Sequence, residues 1–131
     1  MADWWQWSQK KEKEALTFAV VGVGRFGTAV CRELISNGAD VLAADYSEKA
    51  IDDLRQLEPS IEARVVDCTD EESMKESGIL EMNTVVVGIS EPIEASITTT
   101  LIAKDSEGSK VKRVIARATS DLHEKMLKRV G

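Results

Sequence analysis

The stretch FAVVGVGRFGTAV, residues 18–30, constrains the fold of this chain more than any other part of its sequence. A short apolar run precedes three glycines with the spacing G-x-G-x-x-G, and a helical pattern follows them. The run is typical of a strand buried on both faces of a parallel sheet, and the glycines permit a tight turn into the helix. This strand–turn–helix corner predicts a phosphate site.

The same alternation of strand and helix continues along residues 17–131. Predicted strands cover 17–22, 40–45, 61–67, 84–89 and 111–118, and a helical pattern follows each of them. Successive βαβ units with right-handed crossovers give a parallel sheet with helices on both faces. We therefore predict an α/β, Rossmann-like fold whose five parallel strands have the order 3-2-1-4-5.

Residues 1–16, MADWWQWSQKKEKEAL, have a different composition. They hold all three tryptophans and a charge run, with no strand pattern, which predicts a tail outside the domain formed by residues 17–131. Packing of the tryptophans on a partner, or at a membrane interface, is the alternative interpretation.

Charge and cysteine content restrict the class of protein. The net charge of −6 argues against a nucleic-acid binder, which would usually show a basic surface. No apolar run approaches the roughly 20 residues of a membrane-spanning helix, and the N-terminus has no apolar signal core. Cys31 and Cys68 form no disulfide framework, which favours a reduced, cytosolic compartment.

Each glycine of the corner has a physical role. Gly22 permits the turn, Gly24 lets a pyrophosphate approach the backbone, and Gly27 lets the helix pack on the strand. Backbone N–H groups and the helix macrodipole converge there on a phosphate. Asp45, eighteen residues after Gly27, ends the second strand, where a carboxylate accepts hydrogen bonds from ribose hydroxyls. It would repel a 2′-phosphate, so NAD is favoured over NADP.

Further candidates lie where other strands end, and several have a second interpretation. Arg25 either contacts phosphate or is solvated, and Arg117 either pairs with a carboxylate or points at phosphate. Gly88 either makes room for a ligand or only marks a turn, and Thr69 either contacts adenine or caps the next helix. The full set of predicted nucleotide contacts is Gly22, Val23, Gly24, Arg25, Phe26, Gly27, Asp45, Tyr46, Asp67, Cys68, Thr69, Gly88, Ile89 and Arg117.

Other local signals concern helix starts and buried positions. Ser47 is placed to cap helix 48–57, and Thr69 with Glu72 has the spacing of a capping box. Cys31 lies on an apolar helix face and is predicted to be a buried thiol. His123, the single histidine, lies on a polar helix and is predicted to be at the surface.

No catalytic constellation or metal site is apparent in the sequence. A dehydrogenase needs a site for its second substrate, with an acid or base opposite the nicotinamide. Nucleotide-binding elements occupy residues 17–131, so we expect the nucleotide to be sensed and not consumed. The cofactor half of an NAD-dependent oxidoreductase is the first alternative, and an S-adenosylmethionine-dependent transferase is the second.

Several of these stretches resemble the RCK domain, also called KTN or TrkA-N. The most specific are GVGRFG (22–27), DCTDEE (67–72), and IARA (115–118) followed by H-x-x-x-L (123–127). The resemblance covers about residues 17–131. Family members usually continue into a sixth strand and a crossover helix, so the chain is expected to be the N-terminal lobe alone.

The resemblance implies a function. Such domains regulate potassium channels and Trk/Ktr-type uptake systems, bind NAD(H), ATP or ADP, and assemble as dimers and rings. It implies a cytoplasmic protein held at the inner face of the membrane by its transport partner. By this resemblance the corner is the phosphate loop, Asp45 the ribose ligand, Asp67 and Thr69 the adenine contacts, and Arg117 a neighbour of the phosphates.

Overall fold

Five parallel strands form a single sheet, and their order is the predicted one, β3-β2-β1-β4-β5. The computed structural model describes residues 17–131, so the predicted tail, 1–16, lies outside the described residues. The α/β, Rossmann-like fold expected from the sequence is confirmed. The strands are β1 Thr17–Val21, β2 Asp40–Asp45, β3 Glu62–Val65, β4 Thr84–Val87 and β5 Arg113–Ala116.

A helix follows each strand, as parallel pairing requires. The helices are α1 Arg25–Ser36, α2 Glu48–Leu57, α3 Glu71–Ser77, α4 Ile93–Asp105 and α5 Asp121–Val130, with a 3₁₀ turn at Ile79–Glu81. The longest of these, α4, has 13 residues. Within residues 17–131, no helix combines the length and the apolar composition that crossing a membrane requires.

Each face of the sheet has its own apolar core, because successive residues of a strand point to opposite faces. On one face Val20 belongs to a buried cluster with Ile51 and Leu54 of α2. On the other, Val21 belongs to a cluster with Met74 of α3 and Ala103 of α4. Ile51 and Leu54 are 0% and 1% exposed, and burial of such a side chain contributes about 1.5–3 kcal/mol. Both faces of β1 are therefore covered.

The two edge strands are shorter than predicted. Runs 61–67 and 111–118 were expected to be strands, but β3 and β5 each have four residues. Among the strands of residues 17–131, β3 pairs only with β2, and β5 only with β4. An edge strand lacks the second ladder that holds a central strand in register, so its ends leave the sheet early.

Two of the predicted helix caps have different outcomes. Ser47 caps α2 as predicted, since its Oγ accepts a hydrogen bond from the Ala50 N–H at 3.2 Å. The prediction that Thr69 caps α3 is wrong. Asp70 is the N-cap, and its carboxylate accepts from the Ser73 N–H at 3.0 Å. The Thr69 hydroxyl instead donates a hydrogen bond to Asp67 Oδ1 at 2.6 Å.

The prediction that His123 lies at the surface is also wrong. His123 lies in α5, a mostly polar helix, but its side chain faces α4 and is 0% exposed. Its Nε2 lies 3.1 Å from the Oγ of Ser96, and its Nδ1 accepts a hydrogen bond from the Thr119 N–H at 3.0 Å. These partners satisfy both ring nitrogens, which makes burial of the imidazole tolerable.

Candidate functional site

The glycine corner, residues 22–27, depends on backbone contacts that a side chain would prevent. Gly22 has a φ of +90°, in the left-handed region that favours glycine. A Cβ on Gly27 would lie 1.8 Å from the carbonyl oxygen of Gly22, and a Cβ on Gly88 would lie 2.6 Å from the same oxygen. The ends of β1 and β4 therefore meet the start of α1 in direct backbone contact.

The first turn of α1 presents N–H groups to an anion. Within the described part of the chain, no protein acceptor is bonded to the N–H groups of residues 24–27, while Thr28 donates to the Gly24 carbonyl at 2.9 Å. A Cβ on Gly24 would meet no atom within 4 Å, so open space adjoins its Cα. Free amides and the positive end of the helix macrodipole favour a phosphate at this position.

Asp45 connects the end of β2 to the glycine corner. Its Oδ2 accepts a hydrogen bond from the Val23 N–H at 2.7 Å, and its Oδ1 accepts one from the Ser47 N–H at 2.8 Å. An ionised carboxylate has about four acceptor positions, so two remain for other donors. Asp45 thus orients the corner and can also accept hydrogen bonds from a ribose diol.

Residues 67–69 form a second polar group, at the end of β3. Asp67 Oδ1 accepts from the Thr69 N–H at 3.0 Å and from the Thr69 hydroxyl at 2.6 Å. Burial, and then the charges of Asp45 and Asp67, raise the pKa of the Cys68 thiol to about 12. Cys68 is therefore protonated near neutral pH and forms an apolar part of the surface between the two carboxylates.

These groups line one cleft of about 510 Å³ at the carboxyl ends of the strands. Its position beside β1 and β4 is the topological switch point of the sheet, where such folds bind ligands. Of the 14 residues predicted from the sequence, nine line the cleft: Gly22, Gly24, Asp45, Tyr46, Asp67, Cys68, Thr69, Gly88 and Ile89.

Four further lining residues are outside that predicted set of contacts: Ser90, Glu91, Pro92 and Ala95. They form the loop after β4 and the first turn of α4. The available signal was the position of this loop directly after Gly88 and Ile89, since every loop at this edge of the sheet faces the same crevice.

Five predicted residues do not line the cleft. Val23 and Gly27 act in the corner itself, through the bond to Asp45 and the contact with Gly22. Arg25 borders a separate groove of about 500 Å³ between α1 and α2. The guanidinium of Arg117 lies over the ring of Phe26, 5.1 Å from its centroid, a cation–π contact. Among residues 17–131 no carboxylate forms a salt bridge with Arg117, so that alternative is not observed.

The electrostatics of the cleft are set by backbone dipoles and carboxylates. Asp45, Asp67 and Glu91 line it, and none of its lining residues within 17–131 is a lysine or arginine. A phosphate would therefore be held by amides and by the α1 macrodipole. In the part of the chain that the structure describes, no group of three or more His, Cys, Asp or Glu side chains could hold a metal ion.

Comparisons with known proteins agree with this geometry. Ktr system potassium uptake protein C of Bacillus subtilis (strain 168) is 38% identical over 114 residues, 87% of this chain and 49% of that protein. Ktr system potassium uptake protein A of Vibrio alginolyticus is 37% identical over 114 residues, 87% of this chain and 50% of that protein. The chain thus spans about half the length of these relatives.

A solved structure shares the fold over nearly the same region. The NAD(P)-binding domain of an exopolyphosphatase-related protein from Archaeoglobus fulgidus superposes with a TM-score of 0.73 at 26% identity, covering 88% of this chain and 83% of that chain. The model of the TrkA-N domain family matches residues 18–131, which include the glycine corner, Asp45 and all but the first residue of the sheet. The chain belongs to the TrkA-N domain family.

Proposed function

We propose that residues 17–131 form the nucleotide-sensing regulatory domain of a potassium uptake system. The observation that carries this proposal is that Gly24, whose N–H has no acceptor among the described residues, lines the same cleft as the carboxylate of Asp45. The names of the Ktr relatives support the transport role, and the cleft supports an adenosine nucleotide, NAD(H) or ATP/ADP, as the ligand.

The cleft offers a separate contact for each part of such a ligand. The diphosphate would accept hydrogen bonds from the N–H groups of residues 24–26, and the adenosine ribose would donate its hydroxyls to Asp45. Asp67 Oδ2 accepts no hydrogen bond from a described residue. The Cys68 N–H donates none to a described residue. This acceptor and donor match N6 and N1 of adenine, whereas guanine presents the opposite pattern.

Regulation then requires the nucleotide to bind two conformations with different affinity. These two conformations would belong to an assembly of several copies of the protein. The assembly would contact a membrane-embedded potassium channel or transporter subunit. We place the domain in the cytoplasm, at the inner face of the membrane, where that partner would hold it. The difference in binding energy between ligands such as ATP and ADP, or NADH and NAD, would shift this equilibrium.

The chemistry of the cleft favours sensing over turnover. A thiol with a pKa of about 12, as Cys68 has, is a poor nucleophile at neutral pH. The imidazole of His123 is fully buried between α4 and α5 and does not line the cleft. Oxidation of NADH by the protein, with any small carbonyl compound, would support the oxidoreductase alternative instead.

Calorimetry with Asp45→Ala tests the proposal. Removal of charged hydrogen bonds of about 1.5–3 kcal/mol should weaken the binding of ADP and NADH by about 10- to 100-fold. Asp40→Ala is the matched control, because Asp40 is the first residue of the same strand and lies at the end remote from the cleft. It should leave the affinity unchanged.

A second variant separates ribose binding from the support that Asp45 gives to the corner. Gly24→Ala keeps the Asp45 bond to Val23 and adds a methyl group only where a pyrophosphate would approach the backbone. It should fold normally and also bind ADP and NADH at least about tenfold more weakly. If both variants bind these nucleotides like the original chain, the cleft is not the nucleotide site.

A further inference from the structure

We infer that Thr99 is a positioning residue of the cleft, and that its hydroxyl holds the polar turn of residues 67–69 in the place where a ligand would contact it. The inference rests on the proposed function and adds to it a residue that lies outside the cleft. Its basis is one buried hydrogen bond between α4 and the segment that follows β3.

This hydrogen bond joins two segments that are distant in the sequence. The Oγ1 of Thr99 donates to the backbone carbonyl of Cys68 at 2.9 Å, across 31 positions of the chain. Thr99 is 0% exposed and does not line the cleft, whereas Cys68 does. Among the residues that the structure describes, no other group donates to this carbonyl. The hydroxyl of Thr99 is therefore the group that satisfies it.

The peptide group between Cys68 and Thr69 is held at both of its polar ends. Its carbonyl accepts from Thr99, and its N–H donates to Asp67 Oδ1 at 3.0 Å. A peptide group is planar, so a fixed carbonyl also fixes the direction of the N–H on its other side. Thr99 thus acts on the carboxylate of Asp67 through one peptide group.

The same bond ties together two walls of the cleft. Ala95 lines the cleft and precedes Thr99 by one helical turn, so the two residues lie on the same side of α4. The turn of residues 67–69 lines the cleft as well. The bond therefore connects the helix that forms one wall to the turn that would contact adenosine.

Loss of the hydroxyl would leave the Cys68 carbonyl without a partner at a buried position. An unpaired buried carbonyl is unfavourable, so the turn would shift until another donor, such as water, reaches it. Cys68 also belongs to the same apolar cluster as Val87 and Ala103, and these contacts would remain. We therefore expect a local displacement of the turn, with weaker nucleotide binding, in a domain that still folds.

Calorimetry of ADP binding to the 131-residue chain tests this role. Thr99→Val removes the donor and should weaken ADP binding at least about tenfold. Thr99→Ala should cause a similar loss, so the result does not depend on how valine packs. Thr99→Ser keeps the hydroxyl and should bind ADP within about twofold of the original chain.

Thr100→Val is the matched control. Thr100 is the next residue of α4 and is 2% exposed, but its hydroxyl donates at 2.9 Å to the Ser96 carbonyl of the same helix. The substitution removes an equally buried hydroxyl that has no bond to the turn. ADP binding should therefore stay within about twofold of that of the original chain.

Amide NMR spectra of the nucleotide-free chain give a second readout, which does not depend on the proposed function. Thr99→Val should shift the signal of the Thr69 N–H, and Thr100→Val should leave it in place. The inference is overturned if Thr99→Val leaves this signal or ADP binding unchanged, if Thr99→Ser fails to restore binding, or if Thr100→Val weakens binding equally. Failure of ADP to bind the original chain would instead overturn the proposed function.

Discussion

Gly22 and Gly27 of the glycine corner are buried, as is the junction of α4 with α5, but the two regions are held together in different ways. In the corner, backbone packs on backbone, and a Cβ on Gly27 would lie 1.8 Å from the Gly22 carbonyl oxygen. At the junction, one side chain, His123, fills the space and bonds to partners on both sides. The first region is specified by the absence of side chains and the second by one well-satisfied polar side chain.

The hydrogen bonds at the junction determine the state of the imidazole. Because the Thr119 N–H can only donate, Nδ1 of His123 must be the unprotonated nitrogen. Nε2 is therefore the nitrogen that donates a hydrogen bond to the Ser96 hydroxyl, 3.1 Å away. Ser96 follows directly after Ala95, which lines the cleft, so the junction supports the helix whose first turn forms one wall of the site.

Gly27→Ala should have the largest effect on stability. The added methyl group overlaps backbone atoms of Gly22 that cannot rotate away, so β1 and α1 must separate. We expect a loss of about 3 kcal/mol or more, a large part of the roughly 5–15 kcal/mol that stabilises a typical domain. Urea denaturation followed by circular dichroism measures this loss.

Gly24→Ala is the control within the same corner. A Cβ there has no atom within 4 Å, so the free energy of unfolding should change by only about 1 kcal/mol, the cost of alanine in place of glycine at a helix N-cap. Equal destabilisation by the two substitutions would contradict the distinction between the packing glycine and the ligand-facing glycine.

His123→Ala should have the next largest effect. It leaves a cavity and removes the partners of the Thr119 N–H and the Ser96 hydroxyl, which we expect to cost about 3 kcal/mol in total. The exposed Lys125, on the same helix, provides the control, and Lys125→Ala should cost less than about 0.5 kcal/mol. A cost below that value for His123→Ala would support the surface position that the sequence predicted.

The same contrast explains what could be predicted from the sequence. The need for glycine at 22 and 27 follows from a local turn, so the spacing of these residues indicated the corner, and Asp45 followed from its fixed distance along the chain. The apolar runs gave the five strands, and general rules on crossovers gave their order, which is confirmed. Each of these inferences needs only neighbouring residues and one topological rule.

The missed features depend on residues that are distant in sequence. The burial of His123 depends on Ser96, 27 positions away, whose hydroxyl accepts a hydrogen bond from Nε2, and no pattern within α5 contains that information. Arg117 lies over Phe26 because β5 ends, and α1 begins, at the same edge of the sheet. Glu91 and Ala95 line the cleft because the loop after β4 and the first turn of α4 run along it. The path of these segments depends on how α4 packs and not on the composition of the loop.

The smallest predicted effect concerns two residues that the sequence presents as equivalent caps. Ser47→Ala removes an acceptor of the Ala50 N–H and should cost about 1 kcal/mol in the free energy of unfolding. Thr69→Ala removes only an exposed hydroxyl that donates to Asp67, and should cost less than about 0.5 kcal/mol. Equal costs would mean that Thr69 acts as the cap of α3 after all.

Acidification sharpens this last comparison, because the true cap of α3 can be titrated. The hydrogen bonds from the Ser73 side chain and N–H lower the pKa of Asp70 below its ordinary value. A lowered carboxyl pKa stabilises the fold at neutral pH, and that contribution disappears as the pH falls through the folded-state pKa. Asp70→Ala should therefore destabilise the domain at pH 7 and lose most of this effect in acid. The effect of Ser47→Ala should not change in this way, since a serine hydroxyl does not ionise over this range.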